Sequence, residues 1–304
     1  MSILRLQILV LLSELKKVTT VAEEIGVKQP TVSFHMRKLE EEWGAPLFEI
    51  KTGKVLLTES GQLLYRYAAE IDRIYKEAQS RFQAFRQTGE HRLVVGITDT
   101  ASSLLFRTDW IAQASQSSGM QLKLITGQHA ALLEQLQTGS IDFMISGNPR
   151  LPAGGLITPA AALQLEVISD DRLALFMSAG HALAAGPTIP AYKLAGQSLV
   201  ELVDLPLQES ILNWETHEKV TLSRAWAADR IDLVFNAVAD GSMLAILPVR
   251  TSARAPEGVT FIPLPGQSVP WQWTAAWRSD YWNSQVVQRV ASLLREDEWN
   301  KQQV

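Results

Sequence analysis

Apolar residues at Leu4, Ile8, Leu11, Leu12 and Leu15 recur at spacings of three and four, which predicts a helix over Ile3 to Leu15 with one buried side. A second helix follows. Thr19 or Thr20 can cap it, and Thr20 with Glu23 has the spacing of a capping box, leaving Val21, Ala22 and Ile25 to face inward, with Gly26 placed to end the helix. Gln29-Pro30 opens a third helix running to about Trp43, because proline at a first helical position loses no intrahelical hydrogen bond. Its predicted buried stripe is Val32, Met36, Leu39 and Trp43, with Thr31, Ser33, Phe34, His35, Arg37 and Lys38 on the remaining surface. Lys51 and Lys54 then flank Thr52-Gly53 in a predicted hairpin between Phe48 and Leu57. Helix, turn, helix and basic hairpin in this order give the outline of a winged helix-turn-helix.

Thr58 with Glu59 predicts the start of a long helix, in which Leu64, Tyr67, Ile71, Ile74, Ala78, Phe82 and Phe85 repeat at spacings of mostly three and four. Thirty helical residues would span roughly 45 Å and leave a narrow apolar seam suited to a partner helix. After Thr88-Gly89 strands and helices alternate. Strands are predicted at Leu93 to Ile97, Leu122 to Thr126, Ile141 to Ser146, Leu165 to Ile168, Leu173 to Met177, Leu199 to Val203, Met243 to Leu247 and Phe261 to Leu264. Helices are predicted at Leu104 to Ala114, near Leu132 to Leu136, around Ile231 to Ala239 and from Ser284 to Leu294. Trp271, Trp273 and Trp277 repeat in twos with Ala275 and so share one strand face, which suits core packing, with a ligand wall or subunit contact as the other reading.

Composition narrows the function classes. A chain of 304 residues, 46% hydrophobic and 20% charged, has material for two or three domains. The net charge of -4 divides into +1 for residues 1–58 and -5 for the remainder, so any nucleic-acid contact must be local. The absence of cysteine removes disulfides, thiolate metal sites and thiol redox sensing, and fits a reducing cytoplasm. Ile8 to Leu12 reads as core helix rather than export signal, since Arg5 precedes it, Lys16-Lys17 follows and no cleavage site appears. No apolar run reaches the roughly 18 residues of a membrane span. Histidines 35, 91, 129, 181 and 217 lack metal-ligand spacing, and no serine or threonine lies in a nucleophile elbow or phosphate loop. The reading is therefore not an enzyme and needs no cofactor.

In a helix-turn-helix the start of the second helix enters the major groove, where hydroxyl, imidazole and guanidinium groups meet base edges and phosphates. Lys28, Gln29, Pro30, Thr31, Ser33, His35, Arg37 and Lys38 are the candidates there, with Lys51 and Lys54 at phosphates on the groove's rim. Arg37 suits a phosphate better than a base, and a solvent-facing role for His35 remains open.

The signature Ala22-Glu23, Gln29-Pro30, Ser33, Leu39-Glu40, Gly44, Leu47-Phe48, Leu57-Thr58 and Gly61 resembles that of the LysR-type transcriptional regulators. Val21, Lys28 and the pair Phe34-His35 depart from the pattern, so a target sequence does not carry over. The resemblance implies an α/β protein with an all-α-type winged helix-turn-helix domain over 1–58, a dimerising linker helix over 59–88 and a two-lobed, periplasmic-binding-protein-like effector domain over 89–304. Lobe I would take about 90–162 and 267–304, and lobe II about 163–266, with crossovers near Ala161 to Gln164 and Pro265 to Ser268. Its partners would be double-stranded promoter or operator DNA, a small-molecule effector, further copies as homodimer or homotetramer, and RNA polymerase. The competing classes are an enzyme on the same scaffold and a two-lobed binding protein with no DNA-binding role.

Ligands of open α/β folds bind beyond the carboxyl ends of strands, beside helix N-termini. Thr100, Ala101 and Ser102 follow the first strand of the effector domain, Gln128 the second, Asn148 the third, and Gln208-Glu209-Ser210 another in lobe II. The resemblance places Thr100 at an effector-contacting hydroxyl position. Asp99 and Glu209 beside a ligand would disfavour a polyanion, which points to a small polar or amphoteric metabolite.

Overall fold

A computed structural model describes residues 2–88, 92–105, 109–147 and 163–295. The chain separates into two compact units, Met1–Gln87 and Thr88–Val304.

In the first unit α1 (Ile3–Leu15), α2 (Val18–Glu24) and α3 (Gln29–Trp43) are followed by a hairpin of β1 (Phe48–Lys51) and β2 (Lys54–Leu57), then by α4 (Glu59–Thr88). Helix α1 is buried on two sides rather than one. Leu6, Leu9 and Val10 pack with Leu39, Leu47, Leu64 and Ala68, while Ile8 and Leu12 pack with Val21, Ala22, Val32, Met36 and Val55. Leu4 and Leu15, expected inside, are exposed because the two cores take adjacent faces of the helix and leave its ends uncovered. Thr19 and Thr20 do not cap α2. The helix already begins at Val18 after Lys17 in extended conformation, so both threonines lie within its first turn. Trp43 is likewise not part of the α3 stripe: it is 49% exposed at the last helical position, beyond the reach of the core that holds Leu39.

The hairpin register pairs Phe48 with Leu57 and Lys51 with Lys54. Thr52 and Gly53 both take positive φ, 49° and 74°, as a two-residue turn matched to strand twist requires. Glu40 joins helix to wing, its Oε1 accepting from the backbone N–H groups of Leu47 at 2.8 Å and Phe48 at 3.1 Å. Thr58 caps α4 as expected, accepting from Gly61 N at 3.0 Å while its hydroxyl donates to Pro46 O at 2.7 Å. The wing is thus hydrogen-bonded to both helices beside it.

The second unit carries one hydrogen-bonded path of strands and a separate parallel pair. The path runs β10 (Val259–Pro263), β6 (Leu163–Ser178), β11 (Pro270–Arg278), β5 (Phe143–Gly147), β3 (Arg92–Ile97) and β4 (Gln121–Thr126), with β9 (Ala245–Pro248) also paired to β6. The pair is β7 (Ser198–Leu202) and β8 (Ser223–Ala228). Instead of the two strands expected near 165–168 and 173–177, β6 is one strand of 16 residues that serves both lobes. Leu163 to Arg172 pair with β11, and Leu173 to Ser178 with β9 and β10. The change of partner along β6 falls at Arg172/Leu173, beyond the crossover expected near 161–164, so residues 163–172 share a ladder with β11; apolar positions on both sides of Asp170-Asp171 hide the change. Asp171 fixes this crossing by accepting from Trp273 Nε1 and from the backbone N–H of Arg250, both at 3.1 Å.

Helices α5 (Trp110–Ser118), α6 (His129–Thr138), α7 (Leu205–Glu218), α8 (Ile231–Ala239) and α9 (Ser284–Ser292) cover the sheets. The expected helix at 104–114 is replaced by a short 3-10 turn at Ala101–Leu105 and by α5. Helix α7 and strand β8 were not anticipated. Asp204 caps α7, so Gln208-Glu209-Ser210 are helical rather than loop residues. Trp271, Trp273 and Trp277 lie in the core, where a Cβ at Gly147 would fall 1.9 Å from the Trp271 ring.

Gly61 meets a comparable constraint, since a Cβ there would sit 2.1 Å from the carbonyl oxygen of Leu47. Gly61→Ala should lower the unfolding free energy of the first unit by about 1–3 kcal/mol, as overpacking against backbone does, in urea titrations. An unchanged midpoint would show that the wing retreats at no cost.

Candidate DNA-binding face and effector cleft

Burying Val32, Met36 and Leu39 turns the other sides of α3 outward. Gln29, Pro30, Thr31, Phe34 and Arg37 are exposed there, Ser33, His35 and Lys38 are half-buried, and Lys28 precedes the helix in extended conformation. His35 packs its ring edge-on against Phe34 with centroids 5.6 Å apart, and Lys38 Nζ lies 6.0 Å from the Phe34 ring. Two cations are partnered within the unit: Lys38 with Glu41 at 2.5 Å and Lys51 with Glu49 at 2.9 Å. Lys28, Arg37 and Lys54 form no ion pair among the described residues. The face thus combines donors on a helix with three cations that carry no ion pair among the described residues.

Helix α4 sorts its apolar residues between two directions. Leu64 and Ala68 are buried in the unit's core and Ile71 packs against it, whereas Leu63, Tyr67, Ile74 and Phe82 are between 50% and 65% exposed. Phe85 lies outside the described side chains. Asp72 on the same helix is buried and accepts from Gln7 Nε2 at 2.7 Å, with Lys76 Nζ at 2.8 Å. That polar pin fixes which face of α4 turns inward.

In the second unit a cavity of about 220 Å³ lies between the lobes, walled by the loop after β3 (Thr98 to Thr100), the loop after β4 (Thr126 to Gln128), His129, and lobe II residues 202–204, Asp229 and Arg230. Thr100 and Gln128 are among its walls. Ala101 and Ser102 lie behind it, and Asn148 falls outside the described residues. Glu209 is not part of the lining but is close enough to act on the charge of His129.

The loop after β3 is bound by lobe II. The Thr100 hydroxyl donates to Asp204 Oδ2 at 2.6 Å and lies 3.0 Å from the Thr98 hydroxyl. Asp99 Oδ2 accepts from the backbone N–H of Ile231, the first residue of α8, at 2.6 Å. Arg254 donates to the Ser102 hydroxyl at 2.7 Å and to Asp99 O at 3.1 Å. Ser102 is therefore engaged by the protein itself.

Two titratable groups in the cleft were missed as site residues by sequence reasoning. Asp204 is buried, and burial pushes its carboxyl above the ordinary carboxylate range against the opposing hydrogen bonds from Thr100 and the Leu207 N–H. His129, the first residue of α6, is 7% exposed, and neither ring nitrogen has a hydrogen-bond partner among the described residues. Burial holds its pKa below 6.5 despite Asp204 and Glu209 nearby, so the ring is neutral at neutral pH. Their positions carry a local signal, since Gln128-His129 follows a strand as Asp204 does, each at a helix start, whereas their burial carries none.

A DNA-reading N-terminal module and a two-lobed domain with a polar cleft define a ligand-responsive regulator of transcription. The comparisons agree. Residues 3–62 match the bacterial regulatory helix-turn-helix protein, lysR family, and residues 86–299 match the LysR substrate binding domain. The chain belongs to the LysR-type transcriptional regulators, whose members bind DNA and effectors and are not enzymes. It is 25% identical to the HTH-type transcriptional regulator BudR of Raoultella terrigena over 95% of this chain and 98% of that one. With the DNA-binding transcriptional dual regulator OxyR of Escherichia coli it shares 27% identity over 86% of this chain and 85% of that one. Among solved structures it is similar to full-length BenM, with a TM-score of 0.57 at 19% identity over 99% of this chain and 98% of that one. It is also similar to full-length CbnR complexed with its target DNA, with a TM-score of 0.55 at 17% identity over 97% and 99% of the two chains. Among the described residues no helix is long and apolar enough to cross a membrane and no cluster suits a metal ion.

The His129 ring gives a pH signature. An unfolded chain titrates it near 6.5, the folded chain lower, so its neutral form adds stability that is present above pH 6.5 and lost as pH falls through the folded value. Asp204 runs the other way, its contribution present below 3.8 and lost as pH rises through its higher folded value. His129→Gln should flatten the fall in melting temperature as pH drops below 6.5, read by thermal melts across a pH series. Parallel curves for the two proteins would remove His129 as the cause.

Proposed function

We propose that two copies of the chain pair along the exposed face of α4 and place two α3 helices in successive major grooves of a partly symmetric operator, while a small molecule in the interlobe cleft shifts the arrangement of the paired subunits. The observation that carries the DNA half is α3 itself, a helix with an apolar side held in the core and hydroxyl, amide and guanidinium groups on the outside. Gln29, Thr31, Ser33 and His35 take base edges; Lys28, Arg37, Lys38, Lys51 and Lys54 take phosphates. CbnR, a protein of similar fold, has been captured with its target DNA, which supports this placement. The pairing is supported by Leu63, Tyr67, Ile74 and Phe82, four large apolar side chains exposed along one helix. A tetramer would be two such pairs, RNA polymerase the partner on the promoter, and the cytoplasm the place where both are met. No cofactor enters this reading.

The peroxide response named for relatives in Haemophilus influenzae and Escherichia coli is not carried over. This chain has no cysteine, so a thiol does not report oxidant here. Its signal is instead a ligand.

Arg37→Ala should weaken binding to a duplex selected by the protein and reduce the slope of log K against log salt by about 0.9 per subunit, the loss of one phosphate contact. Fluorescence anisotropy across a salt series checks this, and an unchanged slope would take Arg37 off the phosphate. Ile74→Asp should turn the paired form into monomers by placing a charge in an apolar seam, as measured by sedimentation velocity. A dimer of wild-type strength would move the interface elsewhere.

A further inference from the structure

Building on the reading of the cleft as the effector site, we propose that the ligand is a small zwitterion, with a protonated amine facing Asp204 and a carboxylate at the N-terminus of α6. Three helices, α6, α7 and α8, begin at the cavity, and their free N–H groups would ordinarily favour an anion. Two of them already have one. Asp204 Oδ1 accepts from Leu207 N at 3.3 Å in α7, and Asp99 Oδ2 from Ile231 N at 2.6 Å in α8. Helix α6 has no side-chain cap, since Gln128 at its N-cap position makes no such bond. One anion position is left, and it belongs to α6.

The charges on the walls set the second requirement. Asp99, Asp204 and Asp229 face the cavity against Arg230 alone, and Arg230 is paired with Asp232 at 3.2 Å. Asp99 has Arg254 at 3.5 Å, whereas Asp204 is buried with only a hydroxyl and an N–H as partners and no cation among the described residues. A dianion would add to this negative wall. An ammonium at Asp204 offsets it.

His129 points independently to a ligand. It lines the cavity, is more than nine-tenths buried, and both ring nitrogens lack partners among the described residues. A neutral imidazole offers one donor and one acceptor on opposite sides of the ring, so a ligand in the cavity meets one of them, through its carboxylate or its ammonium. The cavity's 220 Å³ equals on the order of seven water volumes at about 30 Å³ each, room for a metabolite of amino-acid size.

The test uses the full chain and four probes on related skeletons: 2-aminobutyrate, 4-aminobutyrate, propylamine and butyrate. At saturation at least one aminobutyrate should raise the melting temperature by about 2–4 °C, propylamine less, and butyrate not at all. Asp204→Asn keeps a side chain able to cap α7 and should melt cooperatively with the shift abolished, while Asp204→Glu restores part of it. If Asp204→Asn does not fold, His129→Gln serves instead and should cut the shift at least twofold. Butyrate matching the aminobutyrates, no probe giving a shift, or a full shift in Asp204→Asn would overturn the proposal. Anisotropy with the selected duplex in the same samples separates the two levels. An aminobutyrate that stabilises without changing DNA affinity leaves the ligand class standing and removes the regulatory reading; butyrate altering DNA affinity does the reverse.

Discussion

The arrangement of the effector domain depends on two carboxylates exchanged across its cleft. Asp99 from lobe I caps α8 of lobe II, and Asp204 from lobe II accepts the hydroxyl of Thr100 in lobe I while capping its own helix. Hydrogen bonds to a charged partner contribute about 1.5–3 kcal/mol each, so these few contacts are comparable to the free energy that separates two domain arrangements. Arg254 reinforces them by holding Ser102 and the backbone of Asp99. Anything bound between the lobes acts on these contacts directly, and no long relay is needed to alter the lobe geometry.

Asp204 is where the balance is finest. Taking a carboxylate out of water costs several kcal/mol, and its hydroxyl and N–H partners return less than that, with no cation among the described residues to complete the compensation. Its charge is therefore sensitive to any charge placed nearby, at 1.36 kcal/mol for each unit of pKa. His129 beside it is buried and neutral for the same reason, the low polarity of the surroundings.

Much of the architecture was legible because it is written in local chemistry. Pro30 and the alternation of Val32, Met36 and Leu39 mark α3, Thr52-Gly53 marks the wing turn, and Thr58 marks the start of α4. What escaped is set by tertiary contact. Spacing alone joined Leu64 and Tyr67 into one seam, although they lie about 60° apart around the helix and the edge of the core formed by α1, Leu39 and Leu47 falls between them. Strand β6 looked like two strands because Asp170-Asp171 interrupts its apolar run, yet those carboxylates sit at the crossing and are satisfied there by Gln272, Arg250 and Trp273. In the cleft, Thr100 and Gln128 could be placed by their positions after strands, but Asp204 and His129 gain their character from a burial that no local pattern encodes.

The weak charge of the DNA-binding unit bears on the proposed pairing. Residues 1–58 carry a net charge of only +1, and three cations on the reading side are without an ion pair among the described residues. Counterion release scales with the number of phosphates neutralised, so the three cations free of internal ion pairs would alone give a salt slope of about -2.7 and modest affinity, whereas two linked copies would give about -5.4 with the second contact set held at high effective concentration. The remaining residues carry -5, so their net charge adds no attraction for a duplex. Because charge contributes so little for one copy, discrimination among sequences falls to base contacts from α3, and a change in the spacing of the two α3 helices alters affinity for an operator without any change in the side chains that read it.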